Sequence, residues 1–345
     1  MTNLVQFPGL GLSFTIDRVA VSIGGFNIYW YGIILAAGLM GGLLFAFRYG
    51  PDFGIDTDRM VDVVVIGTVM AIVCARIYYV AMAPFEYGSL WEMIDLRNGG
   101  IAIYGALIGA FVFGGLACKW RKIPILQMFD LVAMGFLIGQ GIGRWGNFVN
   151  QEAFGCNTTL PWGMYSEATQ SYLTANAAAL AAEGMTIDPS MPVHPTFLYE
   201  SIWCFTGFLL LFRFMKKRCF HGEMFLLYAV WYGCGRFWIE GLRTDSLMLS
   251  AALNLRASQL VAAVSVIAAL ALEIHFRRIY RKTPMAVSLA VADLAAYAKA
   301  FPDGPCVKAL PISASHAEFV QATKDWNREI REKAESTGSA GAETE

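Results

Sequence analysis

From Asn27 to Phe47 the chain carries no charged side chain, and further long apolar stretches follow it. A helix of roughly 17 to 25 mostly apolar residues spans the ~30 Å hydrocarbon core of a bilayer, so runs of this kind leave little choice of fold. Seven spans are expected, at about 27–47, 61–83, 101–118, 123–143, 195–215, 223–240 and 257–276. Composition agrees, since 56% of the 345 residues are hydrophobic and only 15% charged, against about 25% charged in soluble domains. The expected class is an all-α polytopic membrane protein with seven transmembrane helices and a small extracytoplasmic head. The first run is not read as a cleavable signal peptide. It exceeds the ~7 to 15 residues of a signal core, has no basic stretch just ahead of it, and is followed by Arg48 rather than a small-residue cleavage site.

Lys and Arg in short loops mark the cytoplasmic side. Basic residues gather at Lys119, Arg121 and Lys122, at Arg213, Lys216, Lys217 and Arg218, and at Arg277, Arg278, Arg281 and Lys282, each time after an odd-numbered span. The longest loop, Asn147 to Val193, has neither residue type. The N-terminus and that loop are therefore expected outside and the C-terminus in the cytoplasm. A formal net charge of -1 conceals this segregation and gives no reason to expect a nucleic-acid partner. Seven cysteines are scattered without metal-ligand spacing. Only Cys156 falls on the outer side, so no extracytoplasmic disulfide within the chain is expected, and no metal site.

Three regions follow. Residues 1–26 read as an outer interfacial lead-in, with Phe7, Leu10, Leu12, Phe14 and Ile16 among glycines, lying on the membrane surface. Residues 27–282 form the membrane domain, including the 147–193 loop, whose alanine-rich stretch from Thr174 to Ala182 fits a short helix. A loop of that length is usually functional rather than a mere connector. Residues 283–345 read as a cytoplasmic tail, partly disordered, ending in a Ser, Gly, Ala and Glu-rich segment.

Charged groups at membrane depth need partners, because each Arg or Asp near a span centre costs ~2.5 to 3.5 kcal/mol to insert. They are Asp62, Arg76, Asp130, Arg144, Glu200, Arg236 and Glu240. Asp62, Arg76 and Asp130 are expected to share a buried network that fixes helix packing. Arg236 and Glu240, four residues apart, lie on one helix face, either as a structural ion pair or facing a cavity. Arg144 stands out through its neighbours. The run from Gly143 to Gly155 reads GRWGNFVNQEAFG, with Asn147, Asn150 and Glu152 following Arg144 where the chain leaves the membrane. Glycine packing accounts for the glycines but not for the arginine, asparagines and glutamate. A planar guanidinium suits phosphate oxygens, and two of them, Arg144 and Arg236, would form a clamp for a phosphodiester if their spans face one cavity.

The pattern Arg144-x-Gly146-Asn147-Phe148-Val149-Asn150-x-Glu152-x-x-Gly155 resembles the signature of the phosphatidylglycerol:prolipoprotein diacylglyceryl transferases of bacterial inner membranes. Similar matches are Trp30-Tyr31-Gly32, Gly105-Ala106-Leu107-Ile108-Gly109, His194-Pro195-Thr196-Phe197-Leu198-Tyr199-Glu200 and the stretch from Tyr232 to Glu240. The resemblance covers roughly residues 20–280. It implies transfer of diacylglycerol from phosphatidylglycerol to the lipobox cysteine of a preprolipoprotein, giving a thioether and releasing glycerol phosphate, without cofactor or metal. The partners implied are phosphatidylglycerol, signal peptides with a lipobox cysteine, and the bilayer, at a multi-pass site facing the periplasmic leaflet of the inner membrane. By the motif, Arg144 binds the lipid phosphate, and Asn147, Asn150 and Glu152 shape the same site. Arg236 and Glu240 supply the second clamp, Tyr31 and Tyr232 offer hydroxyls, and Gly155 keeps the exit loop close.

One departure bears on mechanism. Many members carry His-Gly-Gly where this chain has Tyr104-Gly105-Ala106. A tyrosine of pKa near ~10 is a poor base at neutral pH, so Tyr104 is expected to donate a hydrogen bond instead, and His194 is the other candidate base. The alternatives weighed are a transporter built on the intramembrane Arg, Asp and Glu residues, and a membrane acyltransferase using His194.

Overall fold

The computed structural model describes residues 2–280 except 84–86, 96–98, 183, 219, 245–247 and 251–254, and beyond residue 280 only 285–288, 307–310, 328 and 332. The expected cytoplasmic tail therefore falls almost wholly outside the described residues. The chain divides into two compact units, residues 1–46 with 132–283, and residues 47–131 with 284–345.

Along the chain, strands β1 (Thr2–Phe7), β2 (Leu12–Asp17), β3 (Val19–Ile23) and β4 (Phe26–Tyr29) lead into helix α1 (Trp30–Tyr49). Helices α2 (Thr57–Met82), α3 (Leu90–Ile94), α4 (Ile103–Arg121) and α5 (Ile125–Asn150) follow, then β5 (Tyr165–Ser166) and α6 (Glu167–Ala182). The remainder is α7 (Thr196–Phe214), α8 (Glu223–Leu242), the short strands β6 (Met248–Ser250) and β7 (Leu255–Arg256), and α9 (Ala257–Tyr280). Six of these helices, α1, α2, α4, α5, α7 and α9, are long and apolar enough to cross a membrane, so the chain is a mostly helical, polytopic membrane protein. The sixth expected span, 223–240, coincides with α8, which has 20 residues but carries Glu223, Arg236 and Glu240.

In the unit built on α2 and α4, the two helices pack closely because of two glycines four residues apart. A Cβ on Gly105 would run into the carbonyl of Cys74, and one on Gly109 would lie 2.5 Å from that of Met70. Small residues at such a spacing let backbones approach without a side chain between them. Asp56 caps α2 by accepting from the backbone N–H of Asp58 at 2.9 Å. The expected network of Asp62, Arg76 and Asp130 does not form as one. Asp62 pairs with Arg121 at 2.7 Å, tying the start of α2 to the end of α4. Arg76 instead donates to backbone carbonyls of the 92–100 segment, and Asp130 is fully buried on α5.

In the other unit, the N-terminal strands and the 147–193 loop fold together. β1 pairs antiparallel with β2 on one edge and with β5 on the other, so residues of the 1–26 stretch share a sheet with the loop. Val5 and Phe7 of β1 join Phe154, Met164, Leu173, Leu180, Val193 and Phe197 in one buried apolar cluster, which α6 covers. The helix expected over Thr174–Ala182 is real and starts earlier, at Glu167. Its first turn is fixed by Ser166 and Thr169, whose hydroxyls and N–H groups bond each other reciprocally at 3.0 and 3.1 Å, a capping exchange. Further along, α7 and α8 are locked by two indoles. Trp203 donates to the carbonyl of Trp231 and Trp231 to that of Trp203, both at 2.9 Å, with the rings stacked. At the other end of α8, Arg277 of α9 donates to buried Glu223 at 2.8 Å.

Candidate active site

The polar cluster is assembled from three helices of one unit. Arg144 sits near the C-terminal end of α5, Glu200 in the second turn of α7, and Tyr232, Arg236 and Glu240 along α8. The sequence holds α5 against α7 on either side of that point. The Ser201 hydroxyl donates to the Gly141 carbonyl at 2.8 Å and the Trp145 indole donates to Ser201 at 3.2 Å. Phe148 stacks on Phe197 with ring centres 4.6 Å apart.

Between these contacts, Arg144 Nη2 lies 2.5 Å from Glu200 Oε1. Arg236 Nη1 lies 3.6 Å from the other oxygen of the same carboxylate, and its Nη2 is 2.5 Å from Glu240 Oε2. The Tyr232 hydroxyl donates to Glu200 at 3.2 Å and accepts from Arg144 at 3.5 Å. The Glu200 side chain is 4% exposed and the two arginine side chains about a fifth exposed. One buried carboxylate thus bridges two arginines from separate helices. A guanidinium edge can take a phosphate in bidentate fashion.

The turn after α5 brings in the next residues. Gln151 and Ala153 both adopt the left-handed region, at φ 53° and 55°, a conformation that costs non-glycine residues energy and is held by its surroundings. That turn folds Glu152 back, so its carboxylate accepts from Asn147 at 2.9 Å and from Asn150 at 3.4 Å, while Asn147 in turn accepts from Arg144 at 3.4 Å. Arg18, at the β2–β3 corner, donates to the Asn150 carbonyl at 2.6 Å and so caps the helix end. Tyr31, in the first turn of α1, packs its ring against Gly146, where a Cβ would lie 2.8 Å from it. The Gly155 N–H donates to the His194 carbonyl at 2.9 Å, closing the exit loop onto the start of α7.

The structure brings Arg144, Asn147, Asn150, Glu152, Tyr31, Tyr232, Arg236 and Glu240 into linked contact. His194 is held elsewhere, with Nδ1 3.1 Å from the Tyr199 hydroxyl, which also accepts from the Trp162 indole at 2.8 Å. Burial pushes the His194 pKa below the usual histidine range, so the ring is neutral at neutral pH. Tyr104 belongs to the other unit, at the start of α4 and beside the Tyr78 ring. Two residues of the arrangement stood outside the sequence-derived site, Glu200 and Arg18. Glu200 ends the His194–Glu200 motif and was already marked as a charge at membrane depth, whereas nothing in the sequence singles out Arg18. Among the described residues no group of His, Cys, Asp and Glu has the arrangement of a metal site.

A profile of the family described as prolipoprotein diacylglyceryl transferase matches residues 18–275. The phosphatidylglycerol–prolipoprotein diacylglyceryl transferase of Bacillus cytotoxicus is 42% identical over 274 residues, covering 79% of this chain and 94% of that protein. The proteins of the same name from Bacillus anthracis and Bacillus mycoides are 45% and 44% identical over 237 residues, each covering 68% of this chain and 83% of theirs.

Proposed function

This chain belongs to the prolipoprotein diacylglyceryl transferase family, and on that premise we propose that the cluster joining Arg144, Glu200 and Arg236 is where it binds the phosphate of phosphatidylglycerol. The enzyme is a transferase that moves the diacylglyceryl group of phosphatidylglycerol onto prolipoproteins. The observation that carries the site is the meeting of two guanidiniums from α5 and α8 on a single buried carboxylate.

The reaction is the one that the family resemblance implies, and the cluster serves it. The acceptor is the lipobox cysteine of the prolipoprotein; its thiolate attacks the glyceryl carbon that bears the phosphate ester. The carbon–oxygen bond breaks as the carbon–sulfur bond forms, giving a thioether, and glycerol phosphate departs with the electron pair. Arg144 and Arg236 stabilise the charge that grows on the departing oxygen, the step at which fixed donors are worth most. Their side chains are already held by Glu200, Glu240 and Tyr232, so no reorganisation is needed during the reaction. A guanidinium beside the incoming sulfur also raises the thiolate fraction of a cysteine whose free pKa is ~8.5. Asn147, Asn150 and Glu152 set the rim beside Arg144, Tyr31 backs it, and Gly155 holds the exit loop. Tyr104 acts as a hydrogen-bond donor rather than as a base, and His194 positions the loop start.

The same reading assigns seven spans, with α8 as the sixth, an outward N-terminus and a cytoplasmic C-terminus. The site then faces the periplasmic leaflet of a bacterial inner membrane. The head of β1, β2, β5 and α6 meets the region around the lipobox, the lead-in rests at the interface, and residues 283–345 form a cytoplasmic appendage. No cofactor takes part.

The test is an assay with labelled phosphatidylglycerol and a lipobox peptide. Arg144→Ala and Arg236→Ala should each lower turnover by roughly 10² to 10³, the usual loss when one oriented charge-stabilising donor is removed. Arg144→Lys should recover only part of it because the bidentate contact is gone, and Tyr104→Phe should cost less than either alanine. Normal turnover in both alanine variants would end the proposal.

A further inference from the structure

We propose that the unit built on α2 and α4 carries a separate binding site for an anionic phospholipid, with an acyl chain in the groove between α2 and α3 and the phosphate at Arg76. None of its residues belongs to the Arg144 cluster, and the argument does not rest on the function assigned above.

The groove has a volume of about 580 Å³ and is walled by Ile72, Val73 and Ile77 of α2 and Leu90, Met93 and Ile94 of α3. It is open, since Ile77 is 62% and Ile94 65% exposed. Because α2 is long and apolar enough to span a bilayer, hydrocarbon rather than water fills such a wall. Arg76 lines the same groove, and its surroundings make the occupant's charge specific. Its Nε donates to the Met93 carbonyl at 2.8 Å, Nη1 to those of Gly99 and Gly100 at 2.9 and 2.7 Å, and Nη2 to that of Glu92 at 2.7 Å. Tyr79 and Tyr87 turn their rings to the guanidinium. Gly100 adopts φ +83°, and a Cβ there would collide with Nη1, so the backbone at Gly100 approaches this cation closely.

Every one of those acceptors is a neutral carbonyl. Among the described residues no carboxylate pairs with Arg76, and Glu92 turns its own carboxylate to the Gly88 N–H at 2.9 Å. The carbonyls orient the guanidinium but leave its unit charge uncompensated, with one Nη2 N–H unspent. A fixed cation beside hydrocarbon recruits the anion that a membrane supplies, a lipid phosphate. Charge and groove together fit one lipid with a net negative headgroup.

The experiment uses the full chain, stripped of lipid in detergent and titrated with phosphatidylserine or phosphatidylcholine, with bound lipids counted by native mass spectrometry. A phosphatidylserine carrying a diazirine on one acyl chain then maps the contact. The wild type should retain phosphatidylserine about fivefold more tightly than phosphatidylcholine, the worth of one interfacial cation, and the diazirine should label peptides of α2 or α3. Ile77→Trp, which fills the groove and leaves Arg76 in place, should lose one bound equivalent and the labelling of α2 and α3; Arg144→Ala, which changes the other unit, should keep that labelling. Equal retention by wild type and Ile77→Trp, no preference for the anionic lipid, or labelling confined to other helices would each overturn the proposal.

Discussion

Glu200 is the residue on which the two arginines depend. Its carboxylate is nearly inaccessible and holds Arg144 on one oxygen and Arg236 on the other. Glu200→Gln keeps the shape and removes the charge, leaving Arg144 without its ion-pair partner and Arg236 with Glu240 alone. Losing one member of a buried ionic group typically costs about 3 to 5 kcal/mol, so the variant should melt well below the wild type in detergent and lose transferase activity; an unchanged melting temperature would show the bridge to be weak. His194 offers a second measurement. Burial lowers its folded-state pKa, so the unfolded chain binds the proton more readily, and stability is full above the ordinary histidine range and falls as pH drops through ~6.5 toward the folded value. Thermal unfolding followed from pH 7.5 to 5.5 should show that decline, and His194→Gln should flatten it. Much of the site was legible in the sequence, because GRWGNFVNQEAFG places Arg, Asn, Asn and Glu at the end of a long apolar helix. The role of Glu200 was not, since it arises from convergence of α5 with α7, and no spacing along the chain encodes which helices meet.

Among the elements, α2 and α4 show what the glycine spacing accomplishes. Gly109→Leu puts a side chain where Met70 contributes backbone oxygen and should destabilise the protein by about 1 to 3 kcal/mol, the usual cost of overpacking; a thermal melt against the milder Gly114→Leu, at a position open to space, isolates the effect. The helices were readable from apolar run length, and α6 from its alanines. The head strands were not. β1 is stabilised by pairing with β5, a strand of two residues beyond five intervening helices, so its register depends on a partner too short to leave a sequence pattern. The network expected of Asp62, Arg76 and Asp130 failed for a related reason, as Arg121 and the carbonyls of the 92–100 segment satisfied Asp62 and Arg76 separately.

For the molecule as a whole, orientation in the membrane turns on α8. It is long enough to cross a bilayer, and its charges are matched at both ends by Glu200 of α7 and Arg277 of α9. Reporter domains fused after Gly222 and after Arg243 should therefore report opposite sides of the membrane; the same side for both would remove α8 from the spans and reverse the expected location of one terminus. The zero net charge of Arg144, Arg236, Glu200 and Glu240 has a further consequence during synthesis. Arg144 leaves the ribosome long before its counter-ion, so α5 enters the bilayer carrying a cost of ~2.5 to 3.5 kcal/mol on the translocon scale that lasts until α7 arrives. Nascent chains that end before Glu200 should linger beside the insertion machinery and be released into lipid only when the later helices join them.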